Sequence, residues 1–205
     1  MKIVKQLLCL AFLACGCLAY AQTEYSAQDD GLSELLKQRA QQKVAQLTDN
    51  ISFMADKSKD LKTREFYKKM ALKLFVAEGE PFEEDGVTNS GVKMETTSKY
   101  RKNPSRKLMK DYFNGLINLR YSKVDIQSTK VQDIKVSDLQ KIGDNQYVCT
   151  AYFEQVFRGF RDGVPVYSDR TKKKVKVYIL GDETLDRMEY LVLLGDVTAL
   201  ETLPY

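Results

Sequence analysis

Histidine and tryptophan are absent from this 205-residue chain. Without histidine there is no Ser-His-Asp triad, no ordinary zinc site and no imidazole switch near neutral pH. Cysteine is scarce where it would count. Cys9, Cys15 and Cys17 lie near the start, and Cys149 stands alone in the rest of the chain. One thiol cannot close an intramolecular disulfide, and a nucleophilic cysteine needs the base that a histidine would usually supply. Cys149 therefore reads as a small apolar residue on a strand. No Walker loop, dinucleotide glycine fingerprint, internal repeat or low-complexity tract is present. An excess of one charge is missing too. The chain has 32 basic and 28 acidic side chains, and that near-balance argues against nucleic acid as a partner. No metal or cofactor is expected.

The first 21 residues have the three-part plan of a secretory signal. Lys2 and Lys5 are followed by an apolar run from Leu7 to Ala19, and Ala19-Tyr20-Ala21 precedes Gln22. The run is too short to span a bilayer, which takes about 20 apolar residues. The expected product begins near Gln22, is periplasmic or secreted, and has no transmembrane segment after cleavage. Phe12-Leu13-Ala14-Cys15 loosely follows a lipobox, so lipid anchoring through Cys15 or Cys17 is the alternative. Losing Lys2 and Lys5 from the 32 basic and 28 acidic groups leaves a net charge of +2.

Helical spacing dominates the first half. Leu32, Leu35, Leu36, Ala40, Val44, Leu47, Ile51 and Met54 recur at three and four, which predicts one amphipathic helix of about six turns. Lys57 to Asp60 breaks the pattern. A second helix is expected over 61–77, with Phe66, Met70, Leu74 and Phe75 on its packing side. Glu78 to Gly91 reads as an acidic loop whose spacing fails the EF-hand pattern. A short strand is expected over 92–97. Ser105 is placed to cap a third, well-buried helix over 106–119.

After Tyr121 the period changes to two. Strands are expected near 124–128 and 131–136, with a turn at Gly143-Asp144-Asn145. From Gln146 to Arg158, Tyr147, Cys149, Ala151, Phe153 and Phe157 share one face. Asp162-Gly163 is a hairpin turn. On the return strand Val175, Val177 and Ile179 point inward and Lys172, Lys174 and Lys176 outward. A bulge is expected near 169–171, a second turn at Gly181-Asp182, and a kink at Gly195-Asp196 in a closing strand. The run from Arg170 to Lys174 reads as decoration of an exposed strand, with its charges split between two faces.

Helices followed by a long antiparallel meander make an α+β pattern. Over residues from about Leu61 to Glu201, the third helix, the Asp162-Gly163 hairpin and the closing strand resemble the NTF2-like (cystatin-like cone) superfamily. The lysine-rich, histidine-free chain with its Ala-Gln junction also resembles secreted proteins of Bacteroidetes type. The resemblance implies a curved sheet wrapping a helix. The expected organisation is a signal peptide at 1–21, a helical extension at 22–60 and an NTF2-like α+β domain at 61–205. Enzymes of that fold resemble ketosteroid isomerase, but no full catalytic set can be matched here, and no residue is assigned a catalytic role. Glu154, Asp162 and Asp169 are carboxylate candidates by strand position alone. The expected role is non-enzymatic binding of a small amphipathic ligand or an envelope protein, with a homodimer as a further partner. A carboxylate–Tyr isomerase or lyase is the alternative. Twelve tyrosines offer rings with both an apolar face and a hydroxyl. Tyr112, Tyr147, Phe153 and Tyr167 are the candidate ligand-binding residues of a cavity with few titratable groups.

Overall fold

A computed structural model describes residues 30–84, 86–101, 103–184 and 187–205. The expected signal peptide at 1–21, with Cys15 and Cys17, lies outside the described residues. The fold is α+β, with three helices and a large, open, mixed sheet among the described residues. The chain divides into two compact units, Met1–Lys37 and Gln38–Tyr205. Of the first, only the opening of the helix α1 (30–55) is described.

The expected stripe of α1 is buried from Leu36 onward, whereas Leu32 is half-buried and Leu35 is 45 % exposed. Ala40, Val44, Leu47, Ile51 and Met54 are all within 1 % of full burial. Polar atoms tie the same helix to the chain beyond. Gln41 Nε2 donates to the Ile134 carbonyl at 2.8 Å, and the Thr129 N–H donates to Thr48 Oγ1 at 3.1 Å.

Helix α2 (Leu61–Leu72) starts where Asp60 accepts the Thr63 N–H at 2.9 Å, an N-cap bond that satisfies one open helical donor. It ends five residues short of the expected Ala77. Phe66 and Met70, expected to pack, are 55 % and 40 % exposed. The stripe that turns inward is instead Arg64, Tyr67, Lys68 and Ala71. Arg64 donates to the Ile117 carbonyl at 2.9 Å, Lys68 to Asn114 Oδ1 at 2.8 Å, and the Tyr67 ring sits 4.7 Å from that of Phe53. Leu74 and Phe75 are buried after the helix, where the chain is extended and bridges Leu194 of the sheet.

The acidic stretch after Glu78 is not a plain loop. It folds as a hairpin of β1 (Phe82–Glu84) and β2 (Val87–Asn89). Glu84 accepts from Lys176 at 2.8 Å and from the Tyr178 hydroxyl at 2.7 Å, which fixes the hairpin to the sheet. These two donors hold the Glu84 carboxyl below its usual range. Gly91 follows at φ +114°, with the Gly79 carbonyl 2.6 Å from where a Cβ would stand. Only glycine fits that close approach.

Strand β3 (Lys93–Thr96) pairs antiparallel with β4 (Ser105–Leu108). Ser105 therefore caps nothing. Cross-strand pairing of residues 105–108 outweighs their local helix-start signal, and α3 (Met109–Ile117) begins three residues later than expected. Met109, Phe113, Leu116 and Ile117 are buried.

The large sheet runs β4-β3-β10-β9-β8-β5. Strand β5 is Lys123–Gln127, β6 Lys135–Val136, β7 Gln140–Gly143, β8 Gln146–Arg161, β9 Val164–Thr184 and β10 Arg187–Pro204. Residues 131–133, expected as strand, form a 3-10 turn. Both β6 and β7 pair with β8, and β10 meets β3 in parallel at Val197 opposite Met94. Asp162 and Gly163 join β8 to β9 with φ of 52° and 80°, the two left-handed residues of a type I′ turn. The bulge in this hairpin lies at Gly159/Phe160, close to the turn, not at 169–171. Gly181-Asp182 does not turn: both stay paired with β10, opposite Tyr190 and Glu189. The kink at Gly195-Asp196 is present as a register shift between Leu194 and Val197.

Candidate functional site

The inward face of β9 changes character halfway along. Val175, Val177 and Ile179 are fully buried. The next three inward positions toward the hairpin are Lys173, Thr171 and Asp169, which are 4 %, 6 % and 6 % exposed. Their cross-strand partners on β8 are Phe153, Gln155 and Phe157 in turn. Burying a lysine and an aspartate costs free energy unless something compensates, so this half of the strand is not ordinary core.

A cavity of about 330 Å³ opens over this patch. Helix α3 and the residues just after it form its opposite wall with Tyr112, Gly115, Leu116 and Leu119. Those positions recur at three and four, so one helical stripe faces the sheet. The sheet wall is Gln155, Phe157, Asp169, Thr171 and Lys173. Thr96, Thr97, Lys107 and Asp111 complete the lining. Leu116, Leu119 and Phe157 supply apolar surface beside the buried polar groups. That mixture suits a small amphipathic molecule.

Burial sets the electrostatics. Asp169 accepts a hydrogen bond from the Tyr167 hydroxyl. Desolvation nevertheless raises its carboxyl above the usual range, against the opposing effects of that bond and of Lys173 and Lys99. Tyr167 is pushed up to about 12, first by burial and then by Asp169. Tyr112 is also raised to about 12 by burial, while its hydroxyl bonds with the Gln155 side chain. The residue is half-buried and lines the cavity. Desolvation lowers the Lys173 ammonium to about 8, with Asp169 pulling the other way.

Of the four candidate residues, Tyr112 lines the cavity. Tyr167 joins it indirectly, through its bond to Asp169. Phe153 is buried opposite Lys173 and is not part of the lining. Tyr147 stands elsewhere, with its ring 6.4 Å from that of Tyr190. Of the carboxylate candidates, Asp169 reaches the cavity. Glu154 lies 3.6 Å from Arg170 in a half-exposed pair, and Asp162 is in the hairpin turn. The expectation of few titratable groups gives way to a buried Asp169 and Lys173. Lys173 was hidden in a basic run, although placing Lys172 and Lys174 outward already sends it inward.

A second hollow, of about 430 Å³, includes Thr150, Lys174, Lys176 and Asp196. Its charged residues are exposed or half-exposed. No group of three or more Asp, Glu, Cys or His among the described residues is arranged to hold a metal ion. No helix among them is long and apolar enough to cross a membrane. No protein-family model, curated protein or solved structure matches this chain.

Proposed function

We propose that this is an exported small-molecule binding domain of the cell envelope, with an NTF2-like arrangement of helix and curved sheet. One observation carries the reading: the cavity of about 330 Å³ between α3 and the β8–β9 hairpin has an apolar side and a buried polar side. A well-packed core leaves few voids larger than a water molecule. Room of this size, beside buried Asp169 and Lys173, is what an amphipathic ligand would fill. The signal-like residues 1–21 support export.

Native mass spectrometry of the protein purified from the organism that encodes it tests the binding. The expected result is an added small-molecule mass. A Gly115→Trp variant should lose it, because a side chain at that position meets open space and points to no clash. A wild-type protein that carries no mass, and is not stabilised by any small amphipathic acid, alcohol or carbonyl compound, refutes the reading. Export is tested by N-terminal sequencing: protein from the envelope fraction should begin near Gln22, and intact Met1 in the cytosol would overturn it.

One further observation favours a second reading, the carboxylate–Tyr isomerase or lyase. Asp169 is buried in the cavity wall and bonded to a tyrosine hydroxyl, and a raised carboxyl is the form in which such an acid exchanges protons. Asp169→Asn should then abolish deuterium exchange at the α-carbon of a bound ketone while sparing binding. Equal exchange with and without the wild-type protein removes this reading.

A further inference from the structure

We propose that the cavity captures an aldehyde or ketone as a covalent imine on Lys173 Nζ. The proposal rests on reading this cavity as a ligand site. Its ground is the way the fold treats the lysines of β9. On the outward face, Lys172 bonds Glu201 at 2.9 Å and Lys176 bonds Glu84 at 2.8 Å. Lys173, inward and 4 % exposed, has no carboxylate within the 4.0 Å of an ion pair among the described residues. Its nitrogen lies 3.7 Å from Met94 Sδ and 5.7 Å from the centre of the Tyr112 ring.

A thioether and an aromatic face are poor substitutes for water around an ammonium. They make the neutral amine easier to reach than on a hydrated lysine. The lowering to about 8 agrees with that arrangement. A desolvated lysine with a free lone pair is the nucleophile of Schiff-base chemistry. The lone pair attacks the carbonyl carbon, and the oxygen takes a proton to give a carbinolamine. The C–O bond then breaks, and water departs with both protons that the amine gave up. One C=N bond and one water replace one C=O bond and the two N–H bonds, and nothing is oxidised or reduced. Dehydration needs an acid to protonate the departing hydroxyl. Asp169 lines the same cavity, and burial raises its carboxyl above the usual range. It would give the hydroxyl its proton and recover one from nitrogen.

Hexanal is a suitable probe, with hexanol and hexanoate as analogues that cannot form an imine. Full-length mature protein is mixed with hexanal and cyanoborohydride, digested and mapped by mass spectrometry. The expected result is one hexyl group on the Lys173 peptide, formed about tenfold or more faster than on any exposed lysine, because more of that amine is neutral. Excess hexanol should slow it, and Lys173→Arg and Lys173→Met should each abolish it with circular dichroism unchanged. Labelling confined to exposed lysines, with Lys173 unmodified, overturns the imine. If hexanol and hexanoate then still shift the amide signals of Leu116 and Thr171, the binding reading survives alone. If none of the three compounds shifts them and no adduct forms, both readings fall.

Discussion

Replacing Lys173 by methionine removes a buried charge while keeping most of the side-chain volume. The amine titrates at about 8 in the folded protein against an ordinary 10.5. At 1.36 kcal/mol per pH unit, that gap costs the folded state about 3 kcal/mol whenever the lysine is charged in both states. The attraction of Asp169 is already contained in that gap, since it offsets part of the desolvation. Lys173→Met should therefore be more stable than wild type by about 3 kcal/mol at pH 7. The advantage has a defined pH window. Below pH 8 both folded and unfolded wild-type chains carry the proton, so the cost is fully present. Between about 8 and 10.5 the folded chain holds fewer protons than the unfolded one, so wild-type stability rises with pH relative to the variant. The two proteins should converge above that range. Urea unfolding midpoints at pH 7, 9 and 10.5 measure this directly. A variant less stable than wild type at pH 7, or a difference that does not change with pH, would refute the account of Lys173 as an uncompensated buried cation.

Phe113 is fully buried on α3, with its ring 6.3 Å from that of Phe75; Phe113→Ala should cost about 3–5 kcal/mol in urea unfolding, and a loss below about 1 would show that α3 is not anchored by this ring. Tyr167→Phe removes a donor that favours the charged carboxylate, so Asp169 should titrate still higher by carboxyl carbon NMR, and an unchanged or lower value would contradict the hydrogen bond. Gly91→Ala places a methyl 2.6 Å from a carbonyl oxygen at a left-handed φ; it should lower stability by about 2 kcal/mol or more, whereas a neutral effect in thermal unfolding would mean that the 79–91 segment can rearrange.

What was legible followed from local chemistry. The left-handed turn at Asp162-Gly163, the stripe of α1, and the alternation that buries Cys149, Ala151 and Phe153 are each set by neighbouring residues. What was missed depends on partners far along the chain. Ser105 carries a sound cap signal, yet strand β3 claims it. Phe66 and Met70 look like a packing stripe, yet Arg64 and Lys68 reach α3 and turn them outward. Gly181-Asp182 is a good turn pair, but both residues are paired with β10. The site was half visible. Ring chemistry singles out Tyr112, which lines the cavity, and Tyr167, which bonds Asp169; strand position alone singles out Asp169. Lys173 is hard to single out because five consecutive polar residues look like a solvated run. A two-residue period running through them decides which ones water never reaches.

The same division of β9 has a dynamic consequence. Its 175–179 half is clamped by aliphatic packing, while its 169–173 half borders open volume and is held by hydroxyl contacts such as Thr171 to Thr202 at 2.9 Å. Fewer close-packed neighbours mean a lower cost of local opening. Amide protons of the cavity half should exchange with heavy water sooner than those of the clamped half, although one continuous ladder links them. That order of exchange would place the first opening of the sheet at its hairpin end, beside the cavity.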